Sequence, residues 1–237
     1  FSLINMEDLF ATEHQIHCVT GFQELVSTPF HGEINVICWP RNLEGNFEEI
    51  VQKAELIGNI SELSEETLLA LQLSAEGQLA REIILNDLKS LKAHGAAPIL
   101  NLIKCYDRDD AYPFFPTDVY SFHVDRSPIP TDTFLCTYYG DSSEIIPNAE
   151  AEQKVLIPEI RAELKTLYNG PDEGFENFLT EHFFDLHYRA KATAKPFSLG
   201  LGHLWRLAID HPELQVLPCV HRAPFEKSGR TRLMLIC

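Results

Sequence analysis

His123 and Asp125 stand two residues apart in the run Ser121-Phe122-His123-Val124-Asp125. On an extended strand that spacing projects both side chains from one face, about 7 Å apart along the backbone and within reach of one cation. An imidazole and a carboxylate supply two corners of a facial three-ligand site. A second histidine supplies the third and leaves positions open for exogenous molecules. The alternative is a polar strand edge, so the reading depends on a distal histidine in a suitable setting, and His221 in Val220-His221-Arg222-Ala223-Pro224 provides one.

Beyond His221 the chain runs through Phe225-Glu226-Lys227-Ser228-Gly229 to Arg230-Thr231-Arg232-Leu233. A hairpin centred near Lys227 would set the His221 strand antiparallel to the last strand, with His221 level with Arg232 and Leu233. Arg230 and Arg232 would then share a face. A guanidinium beside a metal suits a two-pronged grip on a carboxylate, and alternation leaves open which of the two provides it. One of Thr137 and Tyr138, on the strand after the His-x-Asp run, faces the same interior and offers a hydroxyl. His203 is a candidate for support behind the metal. His14 and Cys18 have the i, i+4 spacing of a helical metal pair but lack further ligands nearby, and His182 and His187, five apart, fall on different helix faces.

The elements that must position these residues read as alternating β and α blocks. Glu33 to Trp39 is a β-rich run ended by Pro40. Residues 46–94 switch to helical spacing, with Ser61 and Ser64 as caps and Gly77 and Gly95 as punctuation. Pro98 to Tyr106, Val119 to Val124 and Thr133 to Tyr139 read as strands, and residues 149–190 as a helical insertion in a surface or lid position. Phe197 to Leu207, with close backbone approach at Gly200 and Gly202, Leu214 to His221, and Arg230 to Cys237 return to strand. A short helix is expected around Met6 to Gln15. The pattern predicts a single α+β domain over residues 1–237. Its double-stranded β-helix core, a cupin-like jelly roll formed by 97–148 and 195–237, is buttressed by the helical layer 46–94.

Composition bounds the partners. Among 237 residues, 35 Asp and Glu outweigh 19 Lys and Arg, and a net charge of -16 repels nucleic acid and anionic lipid surfaces. No apolar run is long enough for a bilayer. The six cysteines are scattered singly without a Cys-x-x-Cys pair, as expected of reduced core thiols in a cytoplasmic protein. The expected partner is a small molecule or a protein side chain, with no nucleic acid and no membrane.

His123-x-Asp125, the distal His221, and Arg230 and Arg232 just after Gly229 resemble the signature of the Fe(II)/2-oxoglutarate-dependent dioxygenases. The chain more closely resembles a bacterial conserved family of unknown function assigned to that barrel type. The segments that carry the likeness are Ile34 to Arg41, Phe122 to Asp125, Leu135 to Gly140 with Glu144 and Pro147-Asn148 behind it, and His221 to Pro224 with Gly229 to Leu233. The insertion at 149–190 and Asp141-Ser142-Ser143 depart from the pattern. The resemblance implies Fe(II) on His123, Asp125 and His221, and 2-oxoglutarate as cosubstrate held by Arg230 or Arg232 with help from Thr137 or Tyr138. It further implies hydroxylation or a related oxidation. A non-catalytic, cupin-like protein of zinc or metal handling would use the same three ligands but has no need of the arginine.

Overall fold

The computed structural model describes residues 14–109, 111–227 and 229–237; the helix expected around Met6 to Gln15 falls almost wholly outside them. Among the described residues, thirteen strands form two sheets. The seven-stranded sheet contains β1 (Ile16–Cys18), β2 (Val36–Trp39), β3 (Ile60–Glu62), β4 (Ile99–Ile103), β6 (Asp132–Tyr139), β11 (Leu204–Ala208) and β13 (Arg232–Ile236), in the order β1-β2-β11-β6-β13-β4-β3. β1 and β2 pair parallel, and the other described strand pairs of this sheet are antiparallel. The second, wholly antiparallel sheet is made of β5 (Phe122–His123), β7 (Glu144–Ile145), β8 (Ala151–Gln153), β9 (His187–Ala190), β10 (Phe197–Ser198) and β12 (His221–Arg222), in the order β10-β7-β12-β5-β9-β8.

Alternation along the large sheet divides the core into two layers. Phe134, Cys136 and Tyr138 of β6, Leu233 and Leu235 of β13, Leu100 and Leu102 of β4 and Ile37 of β2 pack against helices. These are α1 (Phe22–Ser27), α2 (Phe47–Lys53), α3 (Glu65–Ala70) and α4 (Ala75–His94). The opposite face, through Val36, Cys38, Leu135, Trp205 and Leu207, meets Ile145 and Cys219 from the second sheet and its approach. The helical layer expected over 46–94 is thus present, interrupted by the short strand β3. In α4 the buried Ala80, Ile84, Leu88 and Leu91 recur at helical spacing. Ser74 accepts from the Gly77 amide at its start, and Gly95, at φ 97, ends it. Gly77 therefore lies inside the first turn rather than between helices. Ser64 caps α3, whereas the Ser61 hydroxyl bonds the backbone of Ile57.

Other expectations change. The segment 197–207 is two strands, β10 and β11, separated by a turn in which Gly200 and Gly202 take φ 72 and 79. The glycines make the turn rather than a close strand approach. Strand structure in 214–221 is confined to His221, at the start of β12. β12 pairs with β5 and β7, while β13 lies in the other sheet beside β4 and β6, so the hairpin expected across Lys227 does not form. Ile16–Cys18 is strand, which removes the helical spacing of His14 and Cys18. The insertion holds α5 (Pro158–Tyr168) and α6 (Phe175–Glu181), but it also contributes β8 and β9 to the second sheet. All six cysteines are free thiols, and no described helix is long and apolar enough to cross a membrane.

Candidate metal centre

His221 of β12 lies directly opposite His123 of β5, and His123 lies directly opposite His187 of β9. Residues directly opposite in antiparallel strands point to one face, so three neighbouring strands set three imidazoles in a row. Ring centroids are 4.5 Å apart for His123 and His221 and 5.7 Å apart for His123 and His187. Asp125 follows β5, where extended backbone is kept in line by bonds from the Val124 amide to Leu186 and from the Asp210 amide to the Asp125 carbonyl. Its Oδ1 lies 3.9 Å from His123 Nε2 and 3.7 Å from His221 Nε2.

The other atom of each group is already occupied, and this aims the set. Nδ1 of His123 meets the Ser121 carbonyl at 2.7 Å, and Nδ1 of His221 meets the Cys219 carbonyl at 3.2 Å. A carbonyl only accepts, so each Nδ1 carries the proton and each Nε2 presents a lone pair. Thr133 Oγ1 donates to Asp125 Oδ2 at 2.6 Å, leaving Oδ1 to face the two Nε2 atoms. The three ligand atoms lie within 4.8 Å of one another, so the cluster could hold a metal ion. Metal bonds of about 2.1 Å place adjacent ligands about 3 Å apart, so closure needs only a small inward movement.

Electrostatics favour a cation. Burial, and then the neighbouring His221, push the His123 imidazolium down to about 4, leaving the ring neutral at ordinary pH. Burial alone would raise Asp125, but His221, the Thr133 hydroxyl and His123 together bring it below the usual carboxylate range. Two imidazoles and one carboxylate are a donor set suited to Fe(II) or Zn(II), and three protein ligands leave coordination positions for other molecules. Lys154 ties down the residues before the strand, Nζ donating to Ser121 Oγ at 2.6 Å, and burial brings its amine down to about 8.

The two arginines separate. Arg230 lies outside β13, is half exposed, and faces Asp141 at 3.5 Å. Gly229 at φ 78 turns the chain before the strand begins, so the period of two does not link Arg230 with Arg232. Arg232 is 4% exposed, and its Nη2 reaches Ser143 Oγ at 3.4 Å and Met234 Sδ at 3.2 Å. Its Nε has no partner. Gly140, at φ 91, makes room for it, since a Cβ there would lie 2.9 Å from Arg232 Cγ. Ser143 precedes Ile145 by two residues, and Ile145 lies opposite His221, so the guanidinium sits about 7 Å along the strand direction from the histidine level.

Thr137 and Tyr138 also separate. Tyr138 faces the helices, donates to Asp87 Oδ2 at 2.6 Å and stacks on Phe47, so the cosubstrate role considered for it is corrected to one in the helix-facing core. Thr137 is on the interior face opposite Met234, and its buried Oγ1 has no partner. His203 accepts from the Arg41 amide at 3.1 Å and packs edge-on against Trp205.

Two residues were missed in the sequence. Thr133 shares its face with Leu135 and Thr137 by simple alternation, which could have marked it. His187 was read as part of a helix and is instead 5% exposed in β9, and the signal was the β-compatible run His187-Tyr188-Arg189 after Leu186. Several residues that carry the family resemblance are braces. Arg222 grips Glu144 through Nε at 2.8 Å and Nη2 at 2.6 Å, tying β12 to β7. Asn148 donates to the Pro218 carbonyl at 2.9 Å and accepts from Asn35 at 2.8 Å. In comparisons with known proteins, no family model matches the chain, and no curated protein or solved structure matches it either.

Proposed function

We propose that the protein is an Fe(II)- and 2-oxoglutarate-dependent oxygenase built on a double-stranded β-helix, acting on a small molecule or a protein side chain. The observation that carries this reading is Arg232. It is a buried guanidinium with one unpartnered nitrogen and no salt bridge among the described residues, on the interior face near the His-Asp-His cluster. The Tyr106 phenol and the carboxylates of Glu226 and Asp141 act on its charge, but neither carboxylate forms a close ion pair with it, so a ligand that brings a carboxylate would add the pair this buried cation lacks. Thr137 Oγ1, also buried and unpartnered, borders the same face two strand positions from Leu135.

In this reading His123, Asp125 and His221 hold the iron, which supplies the oxidising chemistry when bound. Arg232 binds the distal carboxylate of 2-oxoglutarate through a charge-assisted pair, and Thr137 donates a hydrogen bond to it. Cys136 and Tyr138, turned to the other face, take no part. A zinc-handling protein would use the same three ligands, but it leaves Arg232 and Thr137 without a purpose.

The test is anaerobic addition of Fe(II) and 2-oxoglutarate. A weak visible charge-transfer band is expected, with 2-oxoglutarate affinity reduced at least tenfold, about 1.4 kcal/mol, in Arg232→Met and unchanged in Arg230→Met. Tight zinc binding without the band, or equal affinity in the Arg232 variant, would reject the oxygenase reading.

A further inference from the structure

His187 is the one member of the histidine row that the proposed ligand set leaves out. Its ring is 5% exposed, Nδ1 is buried without a partner, and the ring packs edge-on against Phe115 at 6.2 Å. A purely structural histidine at such a depth is ordinarily hydrogen-bonded, so its unpaired nitrogen asks for a partner from outside. His187 also lines, with His123 and Asp125, a cavity of about 190 Å³ whose wall includes Thr117, Arg126 and Phe183.

Phe183 adds a second, independent sign. It takes the left-handed conformation, φ 58, that ends α6 just past its cap, and this turn keeps its ring 59% exposed at the same cavity. An exposed aromatic at the wall and an imidazole among the lining residues are the usual parts of a small-ligand site, one apolar contact and one directional polar group. The charged lining is largely spoken for. Arg126 is bound to Asp185 and Asp210 at 2.6 Å each, and the Asp118 oxygens accept the backbone amides of Asp109, Tyr120 and Ser121.

Resting on the metal-centre reading above, we propose that His187 is a positioning residue that hydrogen-bonds the molecule occupying this cavity while that molecule approaches or binds the metal held by its neighbours. The cavity is smaller than the roughly 300–1,000 Å³ of sites for drug-sized ligands, so its occupant is a compact polar molecule or one side chain. Because His187 comes from the insertion and the three ligands do not, selectivity and metal binding are carried by different parts of the chain.

Azide serves as the probe, since it takes an open metal position and extends away from it. Cobalt(II)-loaded protein is titrated with azide in the wild type, in His187→Phe, which keeps the ring volume without a nitrogen, and in His187→Gln, which restores a donor. The expectation is unchanged cobalt affinity in all three, azide affinity lowered at least fivefold in the phenylalanine variant, and recovery in the glutamine variant. In zinc-loaded wild type, the ring nitrogen NMR signals of His187 should move on azide addition, a readout that does not depend on the variants folding. Equal azide affinities, equal losses in both variants, or unmoved nitrogen signals would overturn the role of His187 alone. A loss of cobalt affinity in His187→Phe would make it a ligand instead. Failure of the wild type to bind cobalt would overturn the metal centre and this inference together.

Discussion

Two groups of buried polar side chains lie on opposite faces of the seven-stranded sheet, and they differ in whether their bonding is complete. On the helix-facing side, Arg41 gives Nη1 to Asp87 at 2.6 Å, Nε to the Gly202 carbonyl at 2.8 Å and Nη2 to Cys136 at 3.4 Å, while Tyr138 takes the other Asp87 oxygen. Burial and the bond to Asp87 push the Tyr138 phenol well up. On the interior side, Thr137 Oγ1, Arg232 Nε and His187 Nδ1 have no partner. A closed network holds the architecture in place, whereas an open one is set up for something that arrives later. Adjacent residues of β6 belong to the two groups, Thr137 to the open and Tyr138 to the closed.

The sharpest way to break this comparison is to remove one carboxylate from each side of the sheet, Asp125 beside the open group and Asp87 within the closed one. Asp125→Ala should abolish cobalt(II) binding, at least a thousandfold in affinity by calorimetry, while costing the metal-free protein about 1–2 kcal/mol for the Thr133 hydroxyl left unpaired. Asp87→Ala should do the reverse. It leaves Arg41 charged and buried without its counter-ion, at a cost of about 3–5 kcal/mol in chemical denaturation, with cobalt affinity retained. If both substitutions cost similar stability, the division into closed and open groups fails.

A smaller effect comes from pH. Burial, with help from neighbouring charges, holds His123 down to about 4 and His187 to about 3 in the folded protein. Unfolded histidines titrate near 6.5, so between there and about 4 the unfolded chain carries more protons. The stability these two groups contribute is therefore complete above about 6.5 and is lost as pH falls through the folded values. The slope should approach about 2.7 kcal/mol per pH unit for two protons, measured in metal-free protein by denaturation at a series of pH values. His123→Phe should halve it.

Much of the site was legible because it rests on spacing along one strand. His123, Asp125 and His221 could be marked from residue type and separation, and they do converge. The helical layer was legible from its period, as in Ala80, Ile84, Leu88 and Leu91. What could not be read is set by pairing between distant segments. The partners of β12 are chosen by β5 and β7, with the Arg222–Glu144 bridge fixing the latter, and nothing local to residues 221–232 excludes the simpler hairpin. The choice between Arg230 and Arg232 likewise depended on where β13 starts after the turn at Gly229. His187 was hidden because four strand residues follow directly on a helical stretch, where periodicity is weakest as a guide.

The pairing of β9 with β5 also limits how this molecule can change. Because the inserted segment supplies the strand next to His123, it cannot be deleted or exchanged like a detachable cap without exposing the edge of the strand that carries the metal ligand. Changes in α5, α6 and the turn at Phe183 leave that pairing untouched, so a new sequence there can reshape the cavity wall while the main-chain bonds of β9 keep the histidine row in register.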